Sequence, residues 1–236
     1  MDLNDGDRDE YRPTIVGKAV KIILWSCVIL TYGIIMVRLF MSCEPDLSDK
    51  VILDKKASEL YESQKSMFIV WQYEPSYSID KESGIWIRNI RYLSTASQIQ
   101  FTVRVNTNQY DYMEGSTPFY YVLKLKTPVD ESKAQDTDEY EVTYVKDEKN
   151  EDIQIKVVKK VQTLTDYYGR DDQKFNYGYN RVSFRNAALD EYTEAVLYIY
   201  DDEAHTNFKH SITICGPDIS KNKLKTNSLE FMNIDE

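Results

Sequence analysis

The densest group of side chains able to do chemistry is Asp201, Asp202, Glu203 and His205, which places carboxylate oxygens and an imidazole within five residues. Such oxygen and nitrogen donors can hold a divalent ion. The group lacks the Asp-x-Asp-x-Asp-Gly spacing of a calcium loop and sits between two apolar runs, AVLYIY and HSITIC, so it reads as an acidic turn and no metal is assigned. His205 and His210 are the only histidines, which leaves little room for imidazole catalysis. There is no Gly-rich phosphate loop, no Gly-x-Ser-x-Gly, no His-Glu-x-x-His and no Cys-x-x-Cys, so no catalytic residue and no cofactor is assigned. Carboxylate pairs of the glycosidase kind are assembled in space rather than along the chain, which keeps a cell-surface hydrolase of glycans or peptides open as a second function.

The 19 tyrosines are the most unusual feature of the composition. Phe175, Tyr177 and Tyr179 alternate with Asn176, Gly178 and Asn180, which gives a strand one aromatic face. The first expectation is that this row fills the space between two sheets, as do Trp71, Tyr73 and Tyr77, and Trp86 with Tyr92. The alternative is an exposed platform, because Tyr combines contact area with a polar tip. Adjacent residues of a strand point to opposite faces, so Tyr167 and Tyr168 cannot both be core. The candidate interaction surface is therefore Tyr167, Tyr168, Tyr177 and Tyr179.

Cys43 and Cys215 flank the expected folded region, and in an oxidising compartment a disulfide between them would close a long loop. Phe40-Met41-Ser42-Cys43 is similar to a bacterial lipoprotein box in the small residue before Cys, and departs from it at Phe40. Lipidation there would make the chain a lipid-anchored ligand-binding protein. No Asn-x-Ser/Thr sequon occurs, in keeping with a bacterial envelope protein.

These residues need elements to hold them, and the strongest element is near the start. Ala19 to Met41 reads AVKIILWSCVILTYGIIMVRLFM, uncharged from Ile22 to Val37. Twenty-three residues at about 1.5 Å each span roughly 34 Å, enough to cross a hydrocarbon core of about 30 Å. The bilayer is thus the expected partner of residues 19–41, and residues 1–18 form a short tail. Lys18 and Lys21 precede the span closely, whereas Arg38 is followed by no basic residue until Lys50, so the tail is expected in the cytoplasm and the rest outside it.

Beyond the span, residues 42–65 read as a stem in which KKASELYES makes a short helix. Nine short runs rich in Val, Ile, Tyr and Phe follow between residues 66 and 216, separated by turn-like clusters such as Tyr168-Gly169-Arg170-Asp171. The expected fold is an all-β antiparallel sandwich, with immunoglobulin-like topology as a guess within that class. Residues 217–236 read as a polar flexible tail.

Residues 1–41 carry five basic and five acidic residues, so the formal net charge of −10 belongs to residues 42–236. Phosphate backbones are repelled by such a domain, and nucleic acid is not an expected ligand. The reading is a single-pass membrane-anchored extracytoplasmic interaction or scaffold module, with a protein partner in a cell-envelope assembly.

Overall fold

The structure is a computed structural model. It describes residues 15–42, 50–74, 79–80, 84–110, 119–130, 132, 138–147, 150–174 and 176–234. The chain divides into two compact units, Met1–Glu44 and Pro45–Glu236.

Among the described residues, the first unit contains one helix, α1 (Ile15–Ser42). Its segment Gly17–Leu39 has a mean hydropathy of 2.2 and no side chain buried within the protein, so it is long and apolar enough to cross a membrane. Its apolar side chains project all round the helix, with Ile22, Leu24, Ile29 and Leu30 each more than 60% exposed. An all-round apolar surface suits a hydrocarbon solvent better than a one-sided core.

Among the described residues, the second unit begins with β1 (Val51–Leu53) and α2 (Lys55–Ser63), followed by thirteen further strands. These are β2 (Val70–Glu74), β3 (Ile79–Asp80), β4 (Ile85–Leu93), β5 (Gln98–Asn106), β6 (Tyr120–Pro128), β7 (Glu139–Asp147) and β8 (Asn150–Leu164). Then come β9 (Tyr167–Lys174), β10 (Tyr177–Phe184), β11 (Glu194–Tyr200), β12 (Phe208–Cys215), β13 (Ser220–Leu224) and β14 (Phe231–Asn233). One sheet runs β13-β2-β4-β5-β10-β9, with β3 attached to β4, and a second runs β12-β11-β6-β8-β7. Every pairing in these two sheets is antiparallel.

Alternation along the strands builds the core. Ile85, Ile87, Tyr92, Ile99, Phe101, Val103, Val105, Val182 and Phe184 from the first sheet share one buried cluster with Tyr121, Leu123, Leu125, Leu197, Ile199, Ile212 and Ile214 from the second. Phe101 meets Tyr121 edge-on at 6.0 Å between ring centroids, which ties the sheets together at mid-depth.

A smaller core lies against the other face of the first sheet, at one end. Val51, Leu53, Ala57 and Phe68 pack there on Val70 and Leu93, with Tyr61 stacked on Phe231 at 4.2 Å. Asp54 caps α2 by accepting the Ala57 N–H at 2.9 Å.

The C-terminal segment corrects the expectation of a flexible tail. β13 pairs with β2 along its length, and β14 runs parallel to β1. Sparse apolar residues, Leu224, Leu229 and Phe231, anchor this polar stretch in the smaller core. Lys221 meanwhile lies over the Trp71 ring at 5.4 Å, so a lysine takes the place an apolar residue would have marked in the sequence.

The cluster Tyr168-Gly169-Arg170-Asp171, expected as a turn, is part of edge strand β9, paired with β10 from Tyr167 to Lys174. Gly169 makes that pairing possible, because a Cβ there would overlap the Arg181 carbonyl oxygen.

Candidate functional site

The face of the first sheet turned away from the second sheet carries a concentration of arginine. Six arginines follow residue 38: Arg88, Arg91, Arg104, Arg170, Arg181 and Arg185. Strand register puts Arg104 opposite Trp86 and Tyr179, and Arg181 opposite Thr102 and Arg170, all on that outer face. Arg185 follows the end of β10 on the same side and stacks over Tyr168 at 4.7 Å.

Arg88 and Arg91 reach this face together only because β4 is bulged. Three residues apart, they would point to opposite faces of a regular strand. Arg88 pairs with Thr102 and Arg91 with Gln100, so Asn89 and Ile90 together oppose the single residue Phe101. Asn89 takes up the irregularity at φ 52°, a left-handed conformation that asparagine tolerates better than most residues.

Beyond the bulge, the Arg104 guanidinium is held between two rings, 3.8 Å from the Tyr177 centroid and 5.1 Å from that of Trp86. Those rings meet edge-on at 5.9 Å. Tyr177 and Trp86 are half-buried, whereas Tyr179 is buried. Burial and the neighbouring Arg104 charge both pull the Arg88 guanidinium below the usual arginine range, a sign of crowded cations.

Arg181 is 3% exposed. Burial lowers its guanidinium, Asp172 works in the opposite direction, and Arg170 adds to the lowering. Asp172 lies 3.8 Å from Arg181 and 3.5 Å from Arg170. By register, Asp172 and Glu74 are the carboxylates on the strands of this face. Asp171 points the other way, where burial and then the adjacent Asp172 push its carboxyl up to about 6.

The far end of the face is sealed. Asp54 holds Arg185 at 2.8 Å, and Arg185 also reaches Asp166 at 2.9 Å. The Tyr168 hydroxyl accepts the Asp54 N–H at 3.0 Å and lies 2.8 Å from the Gln98 amide oxygen. Burial foremost pushes this phenol up to about 12. The Gln100 side chain accepts the Ile52 N–H and donates to the Ile52 carbonyl, which fixes β1 across the sheet as a further strand would be fixed.

The four tyrosines proposed as one surface are thus divided. Tyr177 and Tyr179 lie among the arginines, Tyr168 is locked in the seal, and Tyr167 faces inward against Tyr121 at 5.6 Å and Phe184 at 5.3 Å. The expectation that Tyr177 and Tyr179 fill the space between the sheets is corrected. Gly178, Asn180, Val182 and Phe184 alternate with them and take the inner face, because the register follows the larger apolar pair Val182 and Phe184. Phe175 and Tyr77 lie outside the described residues.

The other sequence candidates are placed as follows. Cys215 is buried, and burial pushes its thiol up to about 11, which suppresses the reactive thiolate at neutral pH. Cys43 lies outside the described residues. Asp202 accepts the backbone N–H groups of Thr206 at 3.0 Å and Asn207 at 2.6 Å, and Asp201 pairs with Lys209 at 2.6 Å. Its oxygens thereby shape a turn between β11 and β12.

Sequence reasoning passed over Arg88, Arg91, Arg104 and Arg181, and it expected Trp86 between the sheets, whereas register puts that ring opposite Arg104 on the outer face. A signal was present: every arginine after residue 38 falls between residues 88 and 185. An arginine stacked between rings is pre-organised for carboxylate or phosphoryl oxygens, and it stays charged at any physiological pH. Comparison of the chain with family models, curated proteins and solved structures finds no match.

Proposed function

We propose that this chain is a single-pass membrane-anchored interaction module, with its N-terminal tail in the cytoplasm and its β domain on the other side. The outer face of the first sheet receives a carboxylate-rich segment of a protein partner in an envelope assembly. One observation carries the reading: a chain with a formal net charge of −10 gathers five of its six arginines after residue 38 on one face of one sheet, with Arg185 beside them just past the end of β10. Charge of one sign on a surface otherwise of the opposite sign steers a complementary partner and orients it. The packing of the two sheets around one core supports reading the domain as a β-sandwich, the rigid kind of scaffold on which such a face keeps its geometry.

The topological half is supported by Lys18 and Lys21, close before the span. Protease added to intact cells is expected to remove residues 44–236 and leave the span with its tail. A domain that resists until the cells are lysed would invert the orientation.

The binding half is tested with the full chain in nanodiscs of uncharged lipid, presented to an immobilised Asp/Glu-rich peptide. Binding is expected to weaken as salt rises, and to fall at least tenfold in Arg88→Glu/Arg104→Glu. Tyr177→Ala is expected to weaken it too, at a stability cost of only about 1–2 kcal/mol, because this half-buried ring lies outside the main core. Equal binding to a neutral peptide, or preferred binding of a single-stranded oligonucleotide of equal charge, would defeat the reading.

A further inference from the structure

We propose that the cavity between Lys50, Arg91 and Arg181 is an oxyanion slot that admits one oxygen of a carboxylate or phosphoryl group. The inference rests on the proposed function only for the partner that uses the slot.

The cavity measures about 10 Å³ and is also bordered by Asn89, Gln100 and Thr102. That is room for about one water-sized atom. Three cationic side chains converge on it. Lys50 is partly balanced by Glu230, 3.3 Å away at the surface. Arg181 is the singular member: it is 3% exposed, and its Nε, Nη1 and Nη2 make no hydrogen bond among the described residues. Its carboxylate neighbour Asp172 stands at 3.8 Å, beyond hydrogen-bond reach.

A guanidinium carries five donors and is among the costliest groups to bury without acceptors. An oxygen of a bound oxyanion would supply the missing acceptor, with Thr102 and Gln100 at the wall. The bulge that turns Arg91 onto this face also places Asn89 at the rim, so the irregularity of β4 and the slot are one construction. A carboxylate on a partner's side chain and a phosphoryl group on a free anion share the chemistry required.

Thermal unfolding of the full chain in uncharged detergent micelles tests the slot with inorganic phosphate, acetate and chloride at matched ionic strength. Phosphate or acetate at about a hundred times its Kd is expected to raise Tm by roughly 5–10 °C. Chloride should do no more than the ionic-strength control. Arg181→Met is expected to abolish the oxyanion response and, without anion, to melt no lower than the unaltered chain, since an apolar side chain replaces a buried cation. Should that variant fail to fold, Lys50→Met, altered at a more exposed position, is expected to weaken phosphate at least tenfold. Absence of an oxyanion-specific shift, an equal effect of chloride, or an undiminished response in both variants would overturn the slot. If the slot responds but the acidic peptide binds Arg181→Met as well as the unaltered chain, the slot stands and its use by the partner falls.

Discussion

Replacing Asp54 with Ala is expected to destabilise the full chain by about 3 kcal/mol at pH 7, read as a lower urea midpoint with an unchanged slope. Three contacts go at once: the Ala57 N–H at the start of α2, the Arg185 guanidinium at 2.8 Å and the Gln98 amide at 3.1 Å. The helix cap alone is worth about 1 kcal/mol. Arg185 is a third exposed, so solvent screens the ion pair and the full cost of breaking a buried pair does not apply.

The pH dependence follows from the carboxyl itself. Burial works to raise the Asp54 pKa, but the Ala57 N–H, Arg185 and Gln98 together bring it below the ordinary carboxylate value. A carboxyl lowered in the folded state contributes stability above its unfolded value of about 4, and that contribution is lost as pH falls through the lowered folded value. Asp54→Asn keeps a capping oxygen and loses the charge, so it is expected to cost less than Ala and to flatten this acid-side loss. An Asn variant as unstable as Ala at pH 7, with the acid slope intact, would show that the charge does not act as described.

The second large effect belongs to the main core. Phe101→Ala is expected to cost about 3–5 kcal/mol, because the ring is buried between Tyr121 and Phe184, each at 6.0 Å, and the sheets on either side cannot close over the void. In a domain of this length that is roughly 10 °C in Tm. Binding of the Asp/Glu-rich peptide by folded protein below the new midpoint should be unchanged, since Phe101 faces away from the arginines. A loss of binding equal to that of Arg88→Glu/Arg104→Glu in folded Phe101→Ala protein would mean that the face is not a separate functional surface.

Several elements were legible in the residue order because local patterns determine them. The N-terminal helix is recognisable from an apolar run long enough for a bilayer, and KKASELYES became α2 from Lys55 to Ser63. IWIRNIRYL and QIQFTVRVN are β4 and β5 without an end out of place, because bulky residues alternating with polar ones announce a strand. The polar strands β9 and β13 carry no such mark. Their order comes from backbone pairing to β10 and β2, which is a property of the neighbour.

The candidate site divides along the same line. Composition and order by themselves determined a helix long and apolar enough to cross a membrane, a chain of short strands, an acidic domain and an arginine supply confined to part of it. Which face those arginines share was decided by tertiary structure. The two-residue period assigns faces only within an unbroken strand, and the bulge at Asn89–Ile90 resets the count between Arg88 and Arg91. Tyr177 and Tyr179 went outward for a related reason: a register settles all the side chains of a strand at once, and burying Val182 and Phe184 turned the aromatic row toward Arg104.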